Sequence, residues 1–426
     1  MAPSKSDPIL IVGAGVFGLS TALELKQRGY EDITVLDRYT PPVVDGSSVD
    51  ISRIIRIDYA DPIYCKMARE AYQGWTTEYK DQYFESGFAL LSETPRNDWI
   101  EKSRSTVLEI GGKVEDLKDA TQLLESYPNI QAKLSGLSGY LNRLGGWADA
   151  AGSIQKLASK CSVEGLSIVS GPRGTVVSLR KEGSRVVGVN LLSGGYLLAS
   201  QVILSTGAWT NRLLDVAHAA SSSGQPVGFI QLTTEEARSL DSTPVMINMS
   251  SGVFCFPPTP GSNILKLARH GYGYANEVTV QTDGFDRTIS TPKLESSNAQ
   301  TGFLPEDADE DLRAGLRQFF PKFANRPWIN RRLCWYTDTP KGDFIIDQHP
   351  RLQGLFVATG GAGHGFKFLP VLGKYIADCF ENKAPEELRK KWRLDSPVGS
   401  AGAMKGDGSR AGPPLRWLND FEKAKL

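Results

Sequence analysis

Two stretches of this 426-residue chain carry residue types and spacings that could do chemistry. The first, Gly13-Ala14-Gly15-Val16-Phe17-Gly18, fits G-x-G-x-x-G, and Asp37 follows 19 residues after Gly18. Glycines there permit a tight turn and close backbone approach. The N–H groups of a following helix would then face a pyrophosphate, and a carboxylate at the next strand end would take ribose hydroxyls. The second stretch, "RLCWYTDTP", sets Cys334 between basic residues and the aromatic pair Trp335 and Tyr336. A buried free thiol ordinarily fills space as a small apolar group, so what this one does depends on what the chain binds. Two lysines raise the same question. Lys266 interrupts the apolar run "ILKL", where a buried ammonium is costly without a partner; it shares strand parity with Ile264 and would be an ordinary surface residue if that face meets solvent. Lys367 follows the glycine turn "GAGHG" and lies between Phe366 and Phe368.

The elements that must position these residues are legible as patterns. Residues 9–13 read as a buried strand, the glycines as a turn, "VFGLSTALELKQRGY" as a helix closing at Gly29, and 33–37 as a second strand, which together make a βαβ unit. A polar loop, "DGSSVDISRIIRIDY", leads into a mixed helical region to about residue 130. A helix follows Trp147, and a meander of strands with turns at Glu182-Gly183 and Gly194-Gly195 ends in an apolar strand at 201–206, capped by Gly207. From 225 to 330 the composition turns to β with Pro/Gly/Ser-rich loops. "GLFVATGGAGHGFKFLPVLGKYIADCFE" then repeats strand, glycine turn and helix. We therefore expect an α/β chain whose ends build one nucleotide-binding domain (1–75, 140–225 and 330–396). The middle (76–139 and 226–329) is expected to form an α+β substrate cap, and 397–426, without periodicity, a tail extended over the surface. The glycine motif alone does not decide between NAD and FAD. A second, distant glycine-rich unit fits FAD better, because the longer cofactor needs a second contact region.

Size and composition exclude other classes. The chain is long enough for two domains and a sizeable site. Its 48 basic and 48 acidic residues leave no electrostatic footprint for nucleic acid or a membrane surface. Its five cysteines lack metal-ligand spacing, so no metal site and reduced thiols are expected. The apolar run near the N-terminus is interrupted by glycines and Glu24, so no membrane span is expected either. Ala424-Lys425-Leu426 is a variant of the small-basic-Leu peroxisomal address. It makes an import receptor a candidate partner and the peroxisome, otherwise the cytoplasm, the expected location.

Three separated motifs then carry a family resemblance over nearly the whole chain: "RRLCWYTDTPKGDFIID", "GAGHGFK" and "ILKLARHGYG". The sequence resembles the monomeric sarcosine oxidase family of flavin amine oxidases, with its fungal saccharopine, pipecolate and fructosyl amino acid oxidases. The resemblance implies an FAD-binding Rossmann-like domain of the glutathione reductase and D-amino acid oxidase type, a monomer, and an oxidase consuming an amino acid and molecular oxygen. It implies that Cys334 carries the flavin through an 8α-thioether, that Lys266 activates oxygen, and that Arg53 lies over the flavin ring. Arg56 and Lys367 become a carboxylate clamp, a role that a guanidinium and an ammonium suit chemically. His270, Tyr336 and Phe254 line the substrate pocket. Further cofactor contacts are implied at Arg38, Ser48, Ser52, Val176, Gly207, Trp209, Gly361, Gly363, His364, Gly365 and Phe366.

Two departures bear on the substrate. Phe254 stands where sarcosine oxidase has a tyrosine. His270 stands where fructosyl amino acid oxidases use an acidic residue for the sugar, whose hydroxyls would here lack that acceptor. The expectation is oxidation of a secondary amine in an N-alkyl, cyclic or saccharopine-like amino acid. A fructosyl amino acid oxidase, a natural-product tailoring oxidase, a flavoprotein without turnover and an NAD(P)-dependent dehydrogenase are the alternatives.

Overall fold

The run Ile9–Val12 is a strand with all four side chains buried. It leads through the glycine turn into the helix Val16–Gln27, whose N-cap, Gly15, has no side chain to offer the first-turn N–H groups. Gly13 has φ +112°, and a Cβ there would lie 2.4 Å from the Ser205 carbonyl oxygen. A Cβ on Gly18 would lie 1.8 Å from the Gly13 carbonyl oxygen. The turn is thus closed by backbone on both sides, and only glycine fits. In this computed structural model, residues 4–93, 97–282, 284–294, 302–395 and 404–426 are described.

Among the described residues a six-stranded sheet runs in the order Ile345–Gln348, Leu355–Thr359, Gln201–Leu204, Ile9–Val12, Ile33–Leu36 and Ser167–Val169. Its first pair is antiparallel and the rest are parallel. Strands from both chain ends therefore lie in one sheet, on either side of Gln201–Leu204, as the two glycine-rich units require. The helices Val16–Gln27, Ala150–Val163 and Leu369–Phe380 bury Leu19, Ala22, Ile154, Leu157, Leu372 and Ile376 in one core with this sheet. Each such Leu or Ile contributes about 1.5–3 kcal/mol through removal from water. The meander Val176–Glu182, Arg185–Leu191 and Tyr196–Leu198 forms a separate three-stranded sheet.

The second large sheet is built around one long strand, Ser221–Gln231, which pairs antiparallel with Ile264–Arg269 on one side and Asn330–Asp338 on the other. The sheet continues through Val253–Cys255, Val245–Asn248, Phe88–Ser92 and Ser138–Asn142. This corrects the expected domain boundaries. Residue 225 falls inside the Ser221–Gln231 strand, and Asn330–Asp338 belongs to the cap sheet rather than to the nucleotide sheet. Phe88–Ser92, inside a region read as mixed helical, is a fully buried central strand held by parallel pairing to Val245–Asn248.

The expected surface tail is also corrected over the residues that are described; 396–403 lie outside them. Arg410 is buried and bonds Asp338, with Nη1 to Oδ2 at 2.7 Å. Arg416-Trp417 adds a short parallel strand beside Tyr274-Ala275. The helix Asp420–Lys425 is capped by Asn419, and Leu426 is buried with Tyr274, Leu304 and Trp335. Buried ion pairing and apolar packing replace the solvated tail that the composition suggested.

Candidate functional site

A cavity of about 1100 Å³ runs between the two sheets. At one end lie Gly13, Gly15, Val16 and Phe17, with Asp37 just past its strand. Asp37 Oδ2 accepts the Ala14 N–H at 2.7 Å and Oδ1 that of Tyr39 at 3.2 Å, while Ser48 Oγ accepts the Val16 N–H at 3.0 Å. Arg38, Val176, Gly207 and Trp209 complete this end. Gly361, Gly363, His364, Gly365 and Phe366 bring the second glycine turn alongside. A cradle that a Cβ would fill, a carboxylate at the strand end, and a continuous channel to a second glycine turn fit FAD. Of the residues expected to bind a cofactor, Gly18 and Ser52 lie outside the lining. Gly18 closes the turn from behind, and Ser52 offers its carbonyl oxygen to Lys266 Nζ at 2.6 Å.

Midway along the channel the cap sheet delivers Cys334 and Lys266 from strands flanking Ser221–Gln231. Gln225 is the register partner of Cys334, and Phe229 is the partner of Lys266. Lys266 is 2% exposed, so the strand face it shares with the half-buried Ile264 does not meet solvent at the lysine. Its ammonium lies 2.9 Å from Asp50 Oδ2 and 4.8 Å from the Phe256 ring centre. Arg53 donates to the same carboxylate at 2.6 Å, to the Ser47 carbonyl at 2.9 Å, and approaches Cys334 Sγ at 3.5 Å. Arg332 reaches Asp50 as well, at 2.8 Å. Sequence reading missed Asp50 and Arg332. The only hint was an acidic residue three positions before Arg53.

The far end is a different environment. The Arg56 guanidinium lies 4.5 Å from the Tyr59 ring centre, 5.2 Å from Trp99 and 5.8 Å from Phe88, and its buried Nη1 has no hydrogen-bond partner among the described residues. Lys367 Nζ donates to the His364 carbonyl at 3.1 Å. Burial, then the Arg56 charge, pushes the Lys367 ammonium well below the usual lysine range, with Asp407 pulling the other way. His364 is held neutral. Its Nε2 donates to the Gly342 carbonyl at 2.7 Å, its Nδ1 accepts from Tyr59 Oη at 3.0 Å, and burial followed by Lys367 lowers its pKa to about 3.

His270, 6.0 Å from the Tyr336 ring between centres, is likewise depressed by burial and by Arg410. Its Nε2 meets Ser409 Oγ at 3.0 Å. Phe254 is buried against Phe256, 5.7 Å between ring centres. All of the expected substrate-side residues thus meet in one cavity. Asp407, Ser409 and Arg410 line it too and were missed, because they come from the segment read as surface tail.

Comparison with known proteins agrees with this geometry. The profile of the FAD dependent oxidoreductase (DAO) family matches residues 8–379, which decides for FAD where the glycine motif left the cofactor open. The L-saccharopine oxidase of Schizosaccharomyces pombe is 32% identical over 91% of this chain and 93% of its own length. The monomeric sarcosine oxidase of a Bacillus species is 27% identical over 87% and 91%. Among solved structures, the fructosamine oxidase Amadoriase II of Aspergillus fumigatus superimposes with a TM-score of 0.87 at 28% identity, covering 98% of this chain and 97% of that one.

The state of Lys367 predicts how a carboxylate binds. A ligand anion beside it favours the ammonium, so binding takes up a proton, and affinity falls as pH rises by up to about tenfold per unit. Calorimetric titration with acetate in buffers of different ionisation enthalpy should show this uptake, and Lys367→Met should remove it. Binding without proton uptake would separate Lys367 from the carboxylate.

Proposed function

We infer that this chain, which belongs to the FAD dependent oxidoreductase family, oxidises the secondary amine of an N-alkyl, cyclic or saccharopine-like amino acid to an imine, with oxygen reduced to hydrogen peroxide. One observation carries the reading. Arg56 and Lys367, neither hydrogen-bonded to a carboxylate among the described residues, end a channel that begins in a dinucleotide cradle. When bound, FAD supplies the two-electron acceptor for the hydride equivalent leaving the carbon beside the amine. Arg56 and Lys367 hold the substrate carboxylate by charge-assisted hydrogen bonds, and Tyr59, Phe88, Trp99 and Phe254 exclude water around it. Neutral His270 and Tyr336 offer uncharged polar contacts to the remainder of the substrate. Lys266 and Arg53 are preorganised positive charge for the reduction of oxygen.

A fructosyl amino acid substrate is the second reading, favoured by the superposition on fructosamine oxidase. Against it stands His270 in the place of an acid, with no carboxylate hydrogen-bonded to it among the described residues. A peroxide-release screen over sarcosine, pipecolate, saccharopine, fructosyl-valine and N-methylated aromatic amino acids decides. We expect activity on a secondary amino acid; activity on fructosyl-valine alone would overturn the use made of His270.

Three finer assignments belong to the same proposal. Cys334 is the covalent tether of the flavin, supported by its place in the channel and by the Arg53 guanidinium 3.5 Å from its sulfur. After acid precipitation the yellow colour should stay with the protein, and Cys334→Ala should release it. The chain acts as a monomer, a reading supported by its similarity to the monomeric sarcosine oxidase of a Bacillus species. The location is the peroxisome, supported by Ala424-Lys425-Leu426 and by a peroxide product. Since Leu426 is packed into the fold, an import receptor could capture it only after the helix Asp420–Lys425 lifts away. A fluorescent fusion at the N-terminus should be punctate and become diffuse when the three residues are removed. A diffuse signal from the intact fusion would overturn the assignment.

A further inference from the structure

Asp50 is a buried carboxylate on which three cations from three parts of the chain converge. Its Oδ2 lies 2.6 Å from Arg53 Nη1, 2.9 Å from Lys266 Nζ and 2.8 Å from Arg332 Nη2, while Oδ1 accepts the Ile51 N–H at 2.7 Å. Arg53 follows on the same loop, Lys266 comes from the Ile264–Arg269 strand, and Arg332 comes from the Asn330–Asp338 strand two residues before Cys334. The cluster has one negative and three positive charges, and its members are shielded from solvent to the point that Asp50 and Lys266 are all but inaccessible. Burial alone would raise the Asp50 carboxyl; Lys266, Arg332 and Arg53 outweigh it and hold Asp50 ionised far below the usual carboxylate range.

Excess positive charge in such a site must be relieved somewhere. Arginine does not release its proton in proteins, so lysine is the member that yields. Burial lowers the Lys266 pKa to about 7, with Asp50 pulling it up and Arg53 and Arg332 pushing it down. Among the described residues nothing else charged is found against the ammonium, whose remaining contacts there are the Ser52 carbonyl and the Phe256 ring. Cys334 and Tyr336 act on Arg53.

We propose, on the oxidase reading above, that Asp50 is a positioning residue for the oxygen reaction and that Asp50 and Arg332 set the charge carried by Lys266 in opposite directions. Asp50 keeps Lys266 and Arg53 in place and charged. Arg332, behind them, takes a share of the same oxygen and moderates that hold. The loop carrying Ser47 and Ser48 is thereby fastened electrostatically to the two cap strands that present Lys266 and Cys334.

The opposite signs supply the test. In protein labelled with ¹⁵N-lysine, with Lys266→Met used to identify the resonance, an NMR titration reads the charge of Lys266 without needing substrate or turnover. Asp50→Asn should move its midpoint down by about one pH unit or more, and Arg332→Met should move it up. Asp50→Glu should restore a midpoint near that of the parent. In the flavin-loaded protein, the pH at which reoxidation by oxygen slows should follow the same order. An Arg332→Met midpoint that is unchanged or lower overturns the proposal. A purely packing role would lower stability in each variant without reversing the sign. If Asp50→Asn does not fold, Arg332→Met and Asp50→Glu still decide. Failure of the oxidase reading looks different, since the NMR midpoints would shift with no oxygen reaction to follow them.

Discussion

The pairing of Ser221–Gln231 with two antiparallel neighbours fixes the distance between the thiol and the lysine on which the site depends. Gln225 sets the position of Cys334 and Phe229 that of Lys266, so both side chains reach the channel only if both registers hold. A one-residue slip in either pairing would turn the whole set of side chains to the opposite face of the sheet. Eleven residues of continuous strand, buried along almost its whole length, make such a slip costly. The cap sheet is therefore a ruler on which the reactive groups are marked, and the nucleotide sheet, with its two glycine turns, is the edge against which the ruler is laid.

Buried cations are handled in two ways along this channel, and the contrast separates their tasks. Around Asp50, three cations share a carboxylate supplied by the protein, so their positions are set before any ligand arrives. At the far end Arg56 and Lys367 lean on aromatic faces and backbone oxygen, with no carboxylate hydrogen-bonded to either among the described residues. Preorganised charge suits a small, uncharged molecule that becomes an anion during reaction. A guanidinium and an amine with no carboxylate hydrogen-bonded to them suit a ligand that brings its own.

Much of this was legible in the sequence, for identifiable reasons. The βαβ unit showed itself because strand, glycine turn and helix follow within one short window with their periodicities intact, and Asp37 fell where a strand end was expected. Lys266, Cys334 and Lys367 were found through motifs. Phe88–Ser92 was not, because "FALLS" is a short apolar run whose strand character comes from a parallel partner far along the chain. Asp407, Ser409 and Arg410 were hidden for a related reason. A Gly/Ser-rich segment has no period, and only the Asp338 carboxylate and the His270 ring give it a place. Asp50 is a lone acid in a polar loop, indistinguishable by type from a solvated residue until Lys266 and Arg332 are brought beside it. The domain boundaries failed at Ser221–Gln231 because one strand spans the expected division, and composition changes within it rather than at its ends.

The central claim is that a secondary amino acid, held by Arg56 and Lys367, delivers two electrons to flavin in this channel. Anaerobic titration of the yellow protein with the amino acid it oxidises is the most direct measurement. The account predicts bleaching complete at one equivalent of substrate per flavin, followed on admission of air by full return of colour and one equivalent of hydrogen peroxide. A protein that binds flavin yet keeps its colour with every secondary amino acid, or that bleaches only with a nicotinamide donor, would contradict it.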